Sequence, residues 1–218
     1  MNKVEFEVVE DLVGEAVSWF LEVEPQSIAL SGGSTPKAVY ERLAETAYDW
    51  TDVNVFFGDE RCVPPDHPDS NFKMADEALL SKIAAHVHPM YDCDADAYTR
   101  ELTDAFDAPL PRFDLAFMGL GEDGHTASLF PGDPALDVSD ELVVSVPKPG
   151  MPPEHPRITL TLPVFNAAKL SIFLVSGGSK REALAKLRAR DQSIPAARVD
   201  SERVIVLADR DAAGGSSP

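Results

Sequence analysis

The sequence predicts a three-layer α/β/α fold, a mostly parallel sheet with helices on both faces. Three observations carry that prediction. Short unbroken apolar runs recur, as in Leu115-Ala-Phe-Met118, the pattern of a buried strand. Stretches with apolar residues at helical spacing alternate with them. Several of the apolar runs end in glycine-rich or charged loops, where folds of this class hold their ligands.

Taken in order, residues 3–9 alternate through Val4, Phe6 and Val8 and read as a strand. From Asp11 the pattern turns helical, with Leu12, Val13, Ala16, Val17, Phe20 and Leu21 on one face. A short strand over 27–30 runs into Ser31-Gly-Gly-Ser-Thr-Pro36, where Pro36 suits the first position of a helix capped by Thr35. Residues 53–57 form a buried strand that exits into Gly58-Asp-Glu-Arg61. The rigid loop Pro64-Pro-Asp-His-Pro68 leads to a helix beginning at Ser70-Asn71 and burying Met74, Ala78 and Leu79. A short strand over 87–90 and a helix over 94–106, with Tyr98, Leu102 and Phe106 four apart, come next.

The strand over 115–118 opens into Gly119-Leu-Gly-Glu-Asp-Gly-His125, and Pro131-Gly132 ends any short helix that follows. Residues 142–146 and 157–162 read as strands around a loop, 148–156, whose four prolines suit a cover over a pocket. The strand over 170–175 closes into Ser176-Gly-Gly-Ser-Lys180, which repeats the earlier glycine turn. Ser179 and Glu182 stand at capping-box spacing for the helix through Ala183, Leu184 and Leu187. The last strand covers 204–207. No linker interrupts the pattern, so residues 1–211 are expected to form one domain, with 212–218 a disordered tail.

Bulk properties narrow the function. The chain has 218 residues, 44% of them hydrophobic, and a formal net charge of −18. That charge disfavours nucleic acid and anionic membrane surfaces as partners. No apolar stretch approaches the length of a membrane span, and the N-terminal residues lack the apolar core of a signal peptide. Cys62 and Cys93 are too few for a disulfide framework, so a reducing, cytoplasmic location is expected. His67, His86, His88 and His155 show no metal-ligand spacing and read as surface or packing residues.

Four loops, 31–36, 58–61, 119–125 and 176–180, are expected to converge beyond the strand ends. They supply two anion cradles of backbone N–H and hydroxyl groups, the cations Arg61 and Lys180, and the pair Asp123 and His125. An imidazole takes a proton near neutrality, and the neighbouring acid can orient it. The set suits a small phosphorylated substrate. Other chemistries are disfavoured. Gly119-Leu-Gly-Glu-Asp-Gly124 matches a dinucleotide fingerprint, but no long helix follows, and two acids would face the pyrophosphate. The first turn lacks the Gly-Lys-Ser/Thr ending of a Walker loop, and there is no Gly-x-Ser-x-Gly elbow.

The segments Ser31-Gly-Gly-Ser-Thr-Pro36, Phe57-Gly-Asp-Glu-Arg61 and Gly119-Leu-Gly-Glu-Asp-Gly-His-Thr-Ala-Ser-Leu-Phe-Pro131 resemble the 6-phosphogluconolactonase family. Arg157-Ile-Thr-Leu-Thr161 and the loop ending at Lys180 fit it too, so the likeness spans nearly the whole chain. The resemblance implies a Rossmann-like fold of the NagB type and hydrolysis of 6-phospho-D-glucono-1,5-lactone in the oxidative pentose phosphate pathway. It implies His125 as general base, supported by Asp123, with Arg61 at the oxyanion or substrate. It places Gly32, Gly33, Ser34, Thr35 and Lys180, with Arg157 as a lesser contributor, at the phosphate. No cofactor and no metal are implied. The expected partner is the phosphorylated sugar lactone alone, bound by a monomer or weak homo-oligomer.

Two rivals remain at this level. A glucosamine-6-phosphate deaminase or isomerase shares the Gly-x-Gly-x-Asp-Gly-His core, but the further acid it carries after the histidine is missing here. A sugar-phosphate-sensing module would keep the pocket and lose the histidine, which this chain retains.

Overall fold

A computed structural model describes residues 3–91 and 93–215. Among the described residues ten strands pair in two sheets, accompanied by six α-helices. The larger is wholly parallel. It holds β1 (Lys3–Val9), β2 (Ser27–Leu30), β3 (Asn54–Phe57), β5 (His86–Val87), β6 (Leu115–Gly119), β9 (Leu170–Val175) and β10 (Arg203–Asp209), in the order β1-β10-β9-β6-β2-β3-β5. All residues of β2 and β9 are buried, so both faces of the sheet centre are covered. Each large apolar side chain taken out of water there contributes about 1.5–3 kcal/mol.

The strand order positions the site. From β2 the chain steps outward through β3 to β5. It then returns to the other side of β2 as β6 and steps the opposite way through β9 to β10. The loops that follow β2 and β6 therefore leave neighbouring strands in opposite directions and open a crevice between them. At the other end of these strands, the Asp114 carboxylate accepts from Gln26 N, Ser27 N and Lys169 Nζ at 2.6–3.0 Å.

The helices follow the expected periodicities. Asp11 caps α1 (Leu12–Val23) by accepting from Gly14 N at 2.9 Å. Leu12, Ala16, Val17 and Phe20 are buried, while Leu21 is exposed. Helices α2 (Ser34–Leu43), α3 (Asn71–Ala78), α4 (Ala95–Phe106) and α6 (Arg181–Arg188) lie where the sequence places them. The sequence reading missed α5 (Leu162–Ala167), a short helix after the strand at 157–160, with Pro163 in its first turn.

Two larger differences concern the site. The residues Asp59–Arg61, read as a charged strand exit, form a strand, β4. With β8 (Arg157–Leu160) and β7 (Val143–Val146) it makes a separate antiparallel sheet, order β4-β8-β7. Gly58 joins the two sheets: its N–H donates to Leu30 O and its carbonyl accepts from Leu160 N, both at 2.8 Å. Second, no α-helix follows the 119–125 loop, and the next helical residues are a single 3-10 turn, Pro134–Asp137, beyond Pro131-Gly132. Left-handed conformations at Gly124 (φ +87°) and Ala127 (φ +49°) break the chain into tight turns before Pro131.

Cys62 and Cys93 are joined in a disulfide, with Cα atoms 5.2 Å apart, which the cysteine count alone did not lead one to expect. The tail expected from 212 onward starts as a turn: Ala212 is buried, and its N–H donates to Asp209 Oδ1 at 2.7 Å. The remainder of that expectation, 216–218, lies outside the described residues. Among the described residues no helix is long and apolar enough to cross a membrane.

Candidate active site

The first glycine turn leaves β2 at Ser31. Tyr40, fully buried on α2, holds both backbone groups of Ser31: its hydroxyl accepts from Ser31 N at 2.8 Å and donates to Ser31 O at 2.9 Å. The helix begins two residues earlier than the proline suggested. Gly33 is the cap, at φ +108°, and no side chain caps α2. Thr35 and Pro36 lie inside the first turn. The N–H groups of Ser34 and Thr35 thus have no partner within the helix, and both residues line the cleft.

The second turn repeats this geometry at the end of β9. Gly177 adopts φ +92°, residues Gly178–Lys180 form one turn of 3-10 helix, and α6 follows. The capping box expected of Ser179 and Glu182 does not form. No side chain caps α6, and Glu182 pairs with Lys186 at 3.0 Å. Asp209, at the end of β10, fastens the turn instead, accepting from Ser176 Oγ at 2.6 Å and Gly177 N at 3.0 Å. The Lys180 ammonium borders the cleft and makes no hydrogen bond or ion pair among the described residues.

After β6 the chain turns on Gly121, whose N–H donates to His125 O at 2.8 Å. His125 Nδ1 lies 2.6 Å from Asp123 Oδ1, and the same oxygen accepts from His125 N at 3.0 Å. A side chain at residue 121 would occupy the space of the imidazole, so glycine is required there. The ring packs against Phe130, centroids 4.7 Å apart. Burial pushes the Asp123 carboxyl up, but the hydrogen bonds from His125 outweigh this and hold it below the ordinary carboxylate value. An ionised Asp123 accepting from Nδ1–H leaves Nε2 as the free proton acceptor of the neutral ring.

The small sheet forms the opposite wall. Arg61 and Arg157 stand opposite one another across the β4–β8 ladder. Arg61 Nη1 donates to Asp69 O at 2.6 Å, and Arg157 Nη2 donates to Pro153 O at 2.9 Å. Each guanidinium keeps a buried Nε–H without a protein acceptor. Arg157 also lies over the Phe130 ring, 5.5 Å from its centroid, and burial lowers its pKa from the usual arginine value.

Glu60, between these charged residues, turns away from the chemistry. Its carboxylate accepts from the N–H groups of Arg61, Asn71 and Phe72, each at 2.7 Å, and so caps α3. Burial nevertheless raises its carboxyl above the ordinary value. Of these two acids, Asp123 and not Glu60 is the one in contact with His125.

These elements enclose a cleft of about 300 Å³. Of the residues named from sequence, Gly32, Gly33, Ser34, Thr35, Arg61, His125, Arg157 and Lys180 line it, and Asp123 stands behind His125. Its walls carry three cations, Arg61, Arg157 and Lys180, against the carboxylates of Asp59 and Glu122. The Asp59 carboxylate is already taken up by Ser128 Oγ at 2.5 Å and Asn71 Nδ2 at 3.3 Å. Sequence reasoning missed Asp59 and Asn71 as site residues. Asn71 read only as the start of a helix, yet its amide holds Asp59 O at 2.9 Å and packs against Gly32. Met151, from the proline-rich loop, closes one side.

The other histidines divide. His88 stacks on Phe56 at 4.2 Å and bonds Asn54, a packing role, and His86 is exposed. His67 and His155, which show no metal spacing along the chain, come together around Asp69 outside the cleft.

Fold and cleft together define a doubly wound α/β protein whose switch-point crevice combines two glycine turns with an imidazole–carboxylate pair. A sequence model of the family described as glucosamine-6-phosphate isomerases/6-phosphogluconolactonase matches residues 3–207. The chain belongs to that family. It is 43% identical over 208 residues to a 6-phosphogluconolactonase of Synechocystis, covering 88% of this chain and 85% of that one. The crystal structure of a 6-phosphogluconolactonase from Thermotoga maritima superimposes with a TM-score of 0.86 at 31% identity, covering 95% of this chain and all of the other. A monomeric glucosamine-6-phosphate deaminase shares the fold, with a TM-score of 0.78 at 22% identity over 97% of this chain and 99% of that one.

Proposed function

We propose that this chain is a hydrolase that opens 6-phospho-D-glucono-1,5-lactone to 6-phospho-D-gluconate in the oxidative pentose phosphate pathway. The observation that carries the reading is the Asp123–His125 pair bordering the same cleft as the two glycine turns. Sequence likeness to 6-phosphogluconolactonases over most of the chain supports the choice of substrate.

In this mechanism His125 Nε2 takes a proton from water as the oxygen attacks the lactone carbonyl. Asp123 fixes the ring and stabilises the imidazolium that forms. The tetrahedral oxyanion is met by N–H donors of Arg61, with Arg157, expected from the sequence at the phosphate, beside it because it pairs with Arg61 across the β4–β8 ladder. Collapse breaks the bond to the ring oxygen, and His125 returns the proton to the leaving alkoxide. The net change is addition of one water. The substrate phosphate rests on the N–H groups of Ser34 and Thr35, the turn at Gly32 and Gly33, and Lys180. Its binding energy orients the carbonyl, and a ring ester needs no further activation.

The same reading makes residues 1–211 one catalytic unit, a monomer or weak homo-oligomer, with the sugar lactone as its partner. The net charge of −18 supports the lack of nucleic-acid or membrane partners. The decisive assay follows proton release from freshly prepared lactone, corrected for spontaneous opening. Catalysed release that disappears in His125→Ala is the expected result. Ammonia release from glucosamine 6-phosphate, with no lactone hydrolysis, would assign the chain to the deaminase class instead.

A further inference from the structure

Beside the cleft two loops meet. Residues 62–70 lead from β4 to α3, and residues 147–156 lead from β7 to β8. The β4–β8 ladder brings them together, and the contact continues past its end: Cys62 N donates to Pro156 O at 2.8 Å. Just beyond, His155 Nε2 lies 2.9 Å from Asp69 Oδ2, and His67 Nδ1 lies 3.8 Å from the same oxygen. The two imidazoles stand edge to face, centroids 5.3 Å apart. One donor atom from each of the three residues lies within 4.8 Å of the others, the one such grouping of His, Cys, Asp or Glu among the described residues.

We propose that His67, Asp69 and His155 form a binding site for one divalent ion of the zinc, cobalt and nickel class. Two imidazoles and one carboxylate are ligands for these borderline metals, whereas Mg²⁺ and Ca²⁺ take shells of oxygen. Tetrahedral zinc with bonds near 2.0–2.2 Å sets its ligand atoms about 3.3 Å apart. The separations of 2.9 and 3.8 Å bracket that value, and binding through His67 Nδ1 exchanges the hydrogen bond that this nitrogen accepts from Asp69 N at 3.1 Å for a bond to the ion. The side chains are 33–40% exposed, which leaves water to complete the shell. The backbone between His67 and Asp69 is held as well: Ser70 N donates to His67 O at 3.0 Å and Arg61 Nη1 to Asp69 O at 2.6 Å.

The ion is a staple and not a catalyst. It joins the loop that holds Arg61 to the strap whose Met151 and Pro153 carbonyls hold Arg157. The sequence hides the site because His155 comes 86 residues after Asp69.

The test titrates ZnCl2 into the EDTA-treated full chain by calorimetry, and repeats it with CoCl2 followed by visible absorption. One ion per chain is expected. Affinity should fall at least tenfold in both His67→Gln and His155→Gln, and should be unchanged in His125→Gln and His86→Gln. Circular dichroism melts in EDTA establish that each variant folds, and either histidine variant suffices if the other does not. Three results would overturn the site: no saturable binding by the wild-type chain, undiminished binding in a folded His67→Gln or His155→Gln variant, or loss of binding in His125→Gln, which would move the ion to the Asp123–His125 pair.

Discussion

The carboxamide of Asn71 occupies the space that a side chain on residue 32 would need, so the first glycine turn and the start of α3 lie in direct contact. That contact also reaches the small sheet, because Asn71 Nδ2 donates to Asp59 O at 2.9 Å. Three segments distant in sequence thereby set one wall of the cleft. Gly32→Ala should push Asn71 and the turn apart and lower kcat/KM by about 10–100-fold, the effect of an ångström-scale misplacement of substrate. Adding Asn71→Ala should restore part of the loss, since the two sites are coupled. Wild-type kinetics in Gly32→Ala would show that the turn does not touch substrate.

Asp123→Asn should retain the ring contact and lose the charge, lowering kcat by about 10²-fold or more with little change in KM. The substitution should also change acid stability. The folded-state carboxyl is held below its ordinary value, so its contribution is present above the unfolded value of about 3.9 and is lost as pH falls through the lower folded value. Urea unfolding of wild type and variant between neutral and acid pH should show a gap that closes as pH falls through this window. A gap that widens there would contradict the hydrogen bonds assigned to the ionised Asp123 carboxylate.

Lys180→Ala should raise KM for the lactone, and the inhibition constant for inorganic phosphate, more than it lowers kcat. A phosphate anchor contributes chiefly to binding, and its contact to a phosphate is charge-assisted, about 1.5–3 kcal/mol. An unchanged KM with reduced kcat would assign Lys180 to the chemical step.

The Cys62–Cys93 disulfide closes a segment between residues 31 apart in sequence. Reduction, or Cys93→Ser, should lower unfolding free energy by about 2–4 kcal/mol, read from the denaturant midpoint with and without reductant. Because Cys62 directly follows Arg61, the residue placed at the oxyanion, the same comparison should show a fall in kcat on reduction. Equal midpoints in both conditions would mean that the bond adds nothing to the folded state.

Much of the site was legible before any coordinates. Gly119, Gly121 and Gly124 after an apolar run, with Asp123 and His125 beside them, mark a loop held in unusual backbone conformations with a titratable pair on it. The two Ser-Gly-Gly turns were legible for the same reason, since such residues open strand-to-helix turns. The helix starts were read less well. Proline and hydroxyl residues suggest a capped start, yet Gly33 and Gly177 do the capping by left-handed backbone alone, and free N–H groups are left at the turn. The opposite roles of Glu60 and its neighbours were not legible, because a run read as a loop does not reveal that alternate residues of a strand face opposite ways.

What the sequence determined by itself was local: the apolar runs, their helical or extended period, the turns at their ends, and the chemistry of Asp123, His125, Arg61 and Lys180. Family likeness extended this to a substrate. What tertiary structure decided was every relation between segments far apart in the chain. It turned Asp59–Arg61 into a strand, set Arg157 opposite Arg61, laid Asn71 on Gly32, bonded Cys62 to Cys93, and gathered His67, Asp69 and His155. The physical reason is that period and propensity act over a few residues, whereas strand pairing and side-chain packing depend on which segments the topology brings together.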